Sequence, residues 1–296
     1  MVFTKYLTMK RVNKSKPEEP SKRKARKVYK ESRTSTKKSV KKDSDNDDKI
    51  KLIRLNKFIA DAGICSRREA DKLIESGKVR INGKLVTALG TKVSPGDLVI
   101  YNGERLKSEK LRYLLLNKPK GFITTSDDPQ NRRTVMNLVE KACDERIYSV
   151  GRLDRNTTGI LLFTNDGELT TRLTHPSHGV KKLYHVVLDK PLSKNDLLKI
   201  MEGVELEDGI INSDKINWVE DEPDKRHIGI ELHSGKNRIV RRIFEHLGYE
   251  VARLDRVIFA GLTKKDLPRG RWRFLEEKEV NILKMIGEKP EEKKRK

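Results

Sequence analysis

Residues 151–166, GRLDRNTTGILLFTND, place one acid between two bases, just before an apolar run. The acid is Asp154, between Arg152 and Arg155. A free Asp titrates near about 3.9; neighbouring cations favour its charged form and burial opposes it. At the mouth of a cleft, such a carboxylate can attack carbon or stabilise positive charge developing on a sugar. The alternative is an exposed Asp paired with an adjacent Arg, an interaction of about 0–1 kcal/mol without chemical consequence.

Two other arrangements of reactive side chains are weaker candidates. His175 and His178 are spaced to share a metal, but no Cys and no third ligand supports such a site, and we expect local hydrogen bonds instead. Asp154 and Asp166 can be paired as a glycosidase acid and base, but Asp166 precedes Gly167 in a turn context that favours Asp for backbone reasons. We therefore expect no metal site.

The overall charge points to a polyanionic partner. Lys and Arg total 66 against 44 Asp and Glu in 296 residues, a formal net charge of +22. Such an excess suits nucleic acid, whose counterions it releases, and an acidic membrane surface is the competing partner. No apolar run reaches the length of a membrane span. Cys65 and Cys143 are far apart and predict neither a disulfide framework nor a metal site, which fits a reducing cytoplasm.

Charge and apolar periodicity divide the chain into four segments. Residues 1–50 contain 17 Lys or Arg and 7 Asp or Glu with scattered apolar residues, which predicts a disordered basic tail. Residues 51–110 are predicted to form a small module and a linker, residues 111–284 a larger domain, and residues 285–296 a short charged tail.

Residues 51–110 carry the pattern of two helices and a hairpin. Apolar residues at helical spacing from Leu55 predict a helix that ends at Gly63. Ser66 and Glu69 match a capping box that opens a second helix. The Asn-Gly turn in VRINGKLV predicts a hairpin, and the following YNGERLKSEK is interpreted as a polar linker.

The order SRREA, LI, G, V and ING resembles the αL RNA-binding motif first known from a ribosomal protein. In that family the second helix and the following loop lie on structured RNA. Each cation alone is more simply a solvated residue, but five together favour phosphate contact. The predicted RNA-binding residues of this module are Arg67, Arg68, Lys72, Lys78 and Arg80.

The larger domain mixes strands and helices without a regular βαβ period. RYLLLNK, GILLFTND, KKLYHVVLD and HIGIELHSG read as strands, and TVMNLVEKA, GELTTRLTH, SKNDLLKIMEGV and KNRIVRRIFEHLG read as helices. Hairpin-like connections are frequent. The pattern predicts an α+β fold with a mixed, largely antiparallel sheet.

Several ordered motifs of this domain resemble the RsuA/RluB/RluE/RluF family of ribosomal RNA pseudouridine synthases. They are LLLNKPKGFITT, RRTVMNLV, GRLDRNTTGILLFTNDGELTTRLTHPSHGVKKLYHV, GKNRIVRRIFEHLGYEV and LTKKDLPRGRWRFL. With the N-terminal module, the resemblance covers residues 51–284, and it is greatest to the RluB branch, which acts on the large ribosomal subunit.

The resemblance implies roles for individual residues. Asp154 matches the essential carboxylate, Tyr184 a tyrosine that packs on the target base, and Arg241 an arginine that pairs with the carboxylate and keeps it ionised. Two positions depart from the family pattern: Ile239 stands where Gln is expected, and Leu183 where Thr is expected. Ile239 shares a helical stripe with apolar neighbours and is interpreted as a core residue.

Three arginines beside these positions, Arg152, Arg238 and Arg242, are expected to meet RNA phosphates, because one aspartate cannot pair with every arginine of its neighbourhood.

The resemblance therefore implies isomerisation of a uridine in ribosomal RNA to pseudouridine, a reaction without redox change that needs no cofactor. We expect a monomeric cytoplasmic enzyme without a membrane partner, acting on 23S ribosomal RNA or a precursor particle. The alternative is a noncatalytic RNA-binding or ribosome-assembly protein that keeps the fold. A small-sugar glycosidase does not need a net charge of +22.

Overall fold

The computed structural model of this chain describes residues 52–286. The predicted basic tail and nearly all of the predicted C-terminal tail lie outside the described residues. Within residues 52–286, no helix has the length and apolar character needed to cross a bilayer.

The N-terminal module has two helices and six short strands. In chain order they are β1 (Ile53–Arg54), α1 (Leu55–Asp61), α2 (Arg67–Glu75), β2 (Val79–Ile81), β3 (Lys84–Val86), β4 (Lys92–Val93), β5 (Val99–Tyr101) and β6 (Glu104–Arg105). Strands β3, β2, β5 and β6 form one antiparallel sheet in that order, and β1 pairs with β4. Leu55 and Ile59 of α1 and Ala70 and Ile74 of α2 are buried together in the module core.

The local signals in this module are confirmed. The Ser66 Oγ accepts the Glu69 backbone N–H at 3.3 Å, and the Glu69 carboxylate accepts the Ser66 N–H at 2.7 Å, which is the predicted capping box. Asn82 and Gly83 both have positive φ, at 49° and 82°, as a tight hairpin turn of this kind requires.

The polar linker was predicted to begin too early. Residues 101–105 belong to a second hairpin, β5–β6, which turns at Asn102 and Gly103 with φ of 49° and 86°. Leu106 behind it is buried in the module core. This turn carries the same Asn-Gly signal as the first one, but the strands that flank it are too short for a clear alternation of apolar and polar residues.

The larger domain is built around one nine-stranded sheet. Its strands are β7 (Tyr113–Lys118), β8 (Tyr148–Ser149), β9 (Thr158–Thr164), β10 (Lys182–Leu188), β13 (Lys215–Trp218), β14 (His227–Leu232), β15 (Val251–Phe259), β16 (Leu262–Thr263) and β17 (Trp272–Phe274). The order is β13-β14-β10-β15-β9-β7-β17, with β16 beside β15 and β8 beside β9, and a separate hairpin joins β11 (Val204–Leu206) to β12 (Gly209–Ile211). Every neighbouring pair of the sheet is antiparallel except β9 and β15. The predicted α+β class with a mixed, largely antiparallel sheet is confirmed.

Helices cover the sheet and explain its long apolar runs. They are α3 (Met136–Val139), α4 (Gly167–Thr174), α5 (Lys194–Glu202), α6 (Ile239–His246) and α7 (Glu277–Met285). Helices α5 and α6 bury their apolar sides against β10 and β14. Alternate residues of β7 and β9 pack toward α4 and α7 on one side and toward α3 on the other. A strand covered on both faces is apolar throughout, as YLLL and GILLF are.

The two domains are joined by hydrogen bonds that involve α1 and the segment after β6. Lys57 of α1 contacts the Glu168 carboxylate of α4 at 2.9 Å. The Glu109 N–H donates to the Asp61 carbonyl at 3.0 Å, and the Glu109 carboxylate accepts the Arg146 N–H at 3.3 Å. These bonds set the position of the N-terminal module on the larger domain.

Gly159 is the glycine on which the only parallel strand pair of the sheet depends. It pairs with Arg256 across β9 and β15 with a φ of +109°, and a Cβ there would lie 2.6 Å from the Arg256 backbone N. Gly159→Ala is therefore expected to lower the free energy of unfolding by at least about 2 kcal/mol, measured by urea denaturation.

Gly167→Ala is the matched control, because it lies at the first position of α4 with open space around the new methyl group. It is expected to change stability by less than about 1 kcal/mol. Equal effects of the two substitutions would contradict the close approach of β9 to β15.

Candidate active site

A pocket of about 270 Å³ opens between β10, β15, the loop before β9 and the loop before α6. Asp154 and Tyr184, far apart in sequence, both line it. Asp154 is the only acidic residue among the described residues that line the pocket. Its basic lining residues are Arg152, Lys182, Lys236, Arg238 and Arg256. The pocket is thus a positive cleft with one carboxylate, an arrangement that attracts a polyanion.

The loop that carries Asp154 is tied to its surroundings on both sides of that residue. Leu153 is buried, and its carbonyl accepts the Thr124 hydroxyl at 2.8 Å. The Thr157 N–H donates to the Asp154 carbonyl at 3.0 Å. The Asp154 side chain is half-exposed within the pocket lining. The backbone is therefore held while the carboxylate stays accessible.

Lys118 is the central support of this loop. Its side chain is fully buried at the end of β7, and Nζ donates to the carbonyls of Thr157 at 2.8 Å, Asp154 at 3.0 Å, Pro119 at 3.2 Å and Arg155 at 3.4 Å. Burial lowers the pKa of Lys118 to about 8, and the charge of Asp154 opposes this shift. In the sequence, Lys118 ends a predicted strand and lies in the motif LLLNKPKGFITT, but it was given no role of its own. A lysine that ends an apolar run just before a proline is the signal that could have singled it out.

A second group of polar side chains connects β7, β9 and β15 behind the loop. Arg269 donates to the Asn117 Oδ1 at 2.7 Å and to the Asp255 carboxylate at 3.0 Å. Asp255 also accepts the Thr158 hydroxyl at 2.9 Å and an ammonium proton from Lys264. These hydrogen bonds keep the pKa of Asp255 below its usual range although burial would raise it. Sequence reasoning did not identify this network.

Tyr184 lies at the floor of the pocket. It is 9% exposed and directly opposite Arg256 in the register of β10 and β15. Arg256 is buried, donates from Nε to the Ile160 carbonyl at 2.9 Å, and stacks over Phe259 with the guanidinium carbon 4.6 Å from the ring centroid. Burial lowers the pKa of Arg256, and the neighbouring Tyr184 phenol opposes this shift.

Arg241 lies near Asp154 but on the other side of its loop. Its Nη1 donates to the Val251 carbonyl at 2.9 Å, and it lines a neighbouring cavity of about 740 Å³ together with Asn156 and Thr158. Burial lowers the pKa of Arg241, followed by repulsion from Arg238, while the charge of Asp154 opposes both. The two side chains therefore interact through space. In the described part of the chain, Asp154 makes no direct ion pair with Arg241.

Both positions that depart from the family pattern are buried, and Leu183 on β10 is 6% exposed. Ile239 is 5% exposed, packs in the core with Ile243 and Phe244, and presents part of its side chain to the pocket. The predicted core role of Ile239 agrees with this position.

The predicted RNA-binding residues fall into two groups. The five cations of the N-terminal module, Arg67, Arg68, Lys72, Lys78 and Arg80, are all exposed. Near the pocket, Arg152 and Arg238 are exposed and line it, although Arg238 also pairs with Glu245 at 3.1 Å. Arg242 does not reach the pocket lining, and Asp208 binds its guanidinium at 2.6 Å.

The two weaker candidate sites of the sequence, the Asp154–Asp166 pair and the histidine pair, have local structural roles instead. Asp166 caps α4 by accepting the Leu169 N–H at 2.9 Å and receives the Tyr113 hydroxyl at 2.9 Å, outside the pocket lining. His175 contacts the Ser177 hydroxyl at 2.8 Å. Within residues 52–286, no three His, Cys, Asp or Glu side chains are placed to hold a metal ion.

Comparison with known proteins agrees with this architecture. Residues 112–246 match the family described as RNA pseudouridylate synthase, and residues 53–99 match the S4 domain. Ribosomal large subunit pseudouridine synthase B of Bacillus subtilis is 40% identical over 238 residues, which cover 79% of this chain and 97% of that protein. An RNA pseudouridine synthase of Aquifex aeolicus is 38% identical over 246 residues, covering 82% of this chain and 98% of the relative.

A solved structure described as a pseudouridylate synthase superposes with a TM-score of 0.57 at 30% sequence identity, covering 78% of this chain and 99% of that one. The chain belongs to the RNA pseudouridine synthase family, a class of isomerases, and carries the S4 RNA-binding domain at its N-terminal side.

The support given by Lys118 can be measured. Lys118→Met removes all four hydrogen bonds and is expected to lower the free energy of unfolding by about 3 kcal/mol. Because the Asp154 loop loses its position, the single-turnover rate of pseudouridine formation is expected to fall at least about 100-fold.

Lys120→Met is the control, since Lys120 follows two residues later and is exposed. It should change stability by less than about 0.5 kcal/mol. Wild-type turnover by a folded Lys118→Met protein would show that the loop does not depend on this ammonium.

Proposed function

We propose that this chain isomerises a specific uridine of large-subunit ribosomal RNA to pseudouridine and that Asp154 is the essential residue. The observation that carries the proposal is the single carboxylate in a cationic pocket beside a buried tyrosine. The choice of large-subunit RNA is supported by relatives from Bacillus subtilis and Vibrio cholerae, which are named ribosomal large subunit pseudouridine synthase B.

The reaction requires the sugar–base junction and the base to be reached together. The glycosidic bond of uridine breaks, the base turns, and its carbon 5 joins the ribose. Carbon 5 then loses its proton, and the ring nitrogen freed from the ribose gains one. The target must be everted from its stack, at a cost of a few kcal/mol that is least where the RNA is already looped. Tyr184 offers a ring at the pocket floor for the everted base, a stacking contact of about 1–3 kcal/mol.

Asp154 acts in its ionised form. Attack on the sugar carbon, attack on the ring and elimination through a glycal are the available routes, and in each of them a carboxylate has to reach the junction of sugar and base. Five cations line the pocket around this carboxylate, and the Arg241 guanidinium interacts with it from behind the loop.

The remaining cations serve RNA docking. The exposed cations of the N-terminal module form one group of phosphate contacts, and Arg152 and Arg238 at the pocket form another. In this proposal the enzyme works as a monomer, since one chain is sufficient to supply the carboxylate, the tyrosine and the cations of the pocket. The two free cysteines are consistent with the cytoplasm as its location.

The role of Asp154 is tested by tritium release from ribosomal RNA labelled at carbon 5 of uridine. Asp154→Asn is expected to lower the single-turnover rate at least about 10⁴-fold and to leave RNA affinity nearly unchanged, because the side chain keeps its size and loses only its charge.

Asp166→Asn is the matched control, since Asn also caps helices and Asp166 lies outside the pocket lining. It should keep the wild-type rate at saturating RNA. RNA binding without tritium release from the wild type would support a noncatalytic RNA-binding protein instead.

The docking surface of the N-terminal module is tested by replacing Arg67, Arg68 and Lys72 with Gln together. The salt dependence of RNA affinity, plotted as log K against log salt concentration, is expected to become shallower by about 2–3. The rate at saturating RNA should not change, since these residues lie outside the pocket lining. An unchanged salt slope would exclude this helix from the RNA interface.

A further inference from the structure

Two buried or half-buried cations flank Tyr184 in the pocket. Lys182 lies two residues before Tyr184 on β10, and both side chains line the pocket from the same side of the strand. Arg256 lies opposite Tyr184 on β15. Neither cation makes an ion pair with a carboxylate in the described part of the chain, which is unusual for charges removed from water.

Both cations have hydrogen-bond donors left over. Lys182 Nζ donates to the His233 carbonyl at 2.7 Å and the Val180 carbonyl at 3.0 Å, whereas an ammonium group carries three donors. The Arg256 Nη2 is buried without a hydrogen-bond partner among the described residues. Unused charged donors around a pocket stabilise negative charge brought into it.

We propose that Lys182, with Arg256 behind Tyr184, stabilises the negative charge that develops on the uracil ring while its bonds to the ribose are exchanged. This inference rests on the proposed function and adds residues to which the comparison with known proteins gives no role. Lys182 contacts the base and is therefore a catalytic residue, and Arg256 adds positive charge from the pocket wall.

Negative charge develops on the uracil ring in each of the possible routes of the reaction. When the bond between the ribose carbon and the ring nitrogen breaks heterolytically, its electron pair stays on the ring and spreads to the ring oxygens. When the carboxylate adds to the ring instead, the electrons of the ring double bond move onto the ring and its carbonyl oxygen. No further reagent is needed, because the ring becomes neutral when carbon 5 bonds to the ribose, and the proton that carbon 5 then releases is balanced by one taken up at the ring nitrogen that left the ribose.

Side chains around the pocket can provide the compensating charge. The charged or titratable groups around Lys182 are Arg256, Tyr184, Asp214, His233, Asp154, Arg152, Lys236 and Arg238. Asp214 is engaged by the His233 imidazole at 2.8 Å, and Asp154 is required at the sugar. The cations therefore outnumber the acids, and negative charge on the base is favourable there.

The charge of Lys182 depends on pH, and this dependence distinguishes a catalytic role from a purely structural one. Burial, followed by the Arg256 charge, lowers the pKa of Lys182 to about 8, and Asp214 opposes this shift. Lys182 therefore carries its charge below about pH 8 and loses it as the pH rises further. An arginine at this position stays charged throughout that range.

The experiment measures single-turnover tritium release at saturating ribosomal RNA from pH 6 to about 10 for wild type, Lys182→Met, Lys182→Arg and Lys181→Met. Lys181 is the matched control, because it is the next residue, lies outside the pocket lining and pairs with Glu231 at 2.9 Å. Lys182→Met is expected to lower the rate about 10²–10³-fold at pH 7 with RNA affinity nearly unchanged. The wild-type rate should fall above about pH 8, where Lys182 and Lys118 both lose their charge, and Lys182→Arg should make that fall less steep because it removes the contribution of Lys182.

The outcomes separate this inference from the proposed function. An inactive wild type would refute the function itself. An active wild type with equal rates for Lys182→Met and Lys181→Met would refute only the inference. Loss of RNA affinity with an unchanged saturated rate would make Lys182 a phosphate contact and also overturn it. If Lys182→Met does not fold, a Lys182→Arg profile with the same alkaline fall as the wild type would overturn it.

Discussion

A buried ammonium group holds the loop on which this site depends. Lys118 has no carboxylate partner among its hydrogen bonds, and four backbone carbonyls take the place of water around it. Burying a charge is costly, and only well-placed dipoles offset the cost. Because three of these carbonyls belong to residues 154–157, the charge is accommodated only when the loop is in one conformation. The hydrogen bonds that replace water around the Lys118 ammonium group therefore fix the position of Asp154.

Charged groups removed from water, each with defined partners, also surround the rest of the pocket. Positive charge is buried on β7 and β15 and half-buried on β10, and Asp154 is the one acid among the described residues of the pocket lining. Behind the loop, Asp255 balances Arg269 and Lys264 and connects three strands. A low-dielectric wall strengthens each of these interactions. The result is a preorganised field that suits a polyanionic substrate and an ionised carboxylate together.

The sheet brings these residues together at its one parallel junction. The loop of Asp154 leads into β9, which runs beside β15, and the Gly159 position lets the two backbones approach closely. Tyr184 and Arg256 then face each other because β10 lies on the other side of β15. The N-terminal module is attached to the same domain through Lys57 and Glu109, so its exposed cations keep a defined relation to the pocket.

The local structure and the class of the protein could be predicted from the amino-acid sequence. The Ser66–Glu69 capping box, the Asn82–Gly83 turn and the apolar runs of β7 and β9 depend on residues close together in the chain, and they were predicted. Motif resemblance singled out Asp154, Tyr184 and Arg241, although their mutual geometry did not follow from it.

Which cations support the site and which lie free for RNA at the surface depends on contacts between distant parts of the chain. Lys118 meets a loop 36 to 39 residues away, Arg269 binds Asn117 across 152 residues, and Arg242 is occupied by Asp208 across 34. Sequence spacing does not show these neighbours. The role of a charge depends on whether it is buried and on what replaces its water, and both are properties of the folded chain.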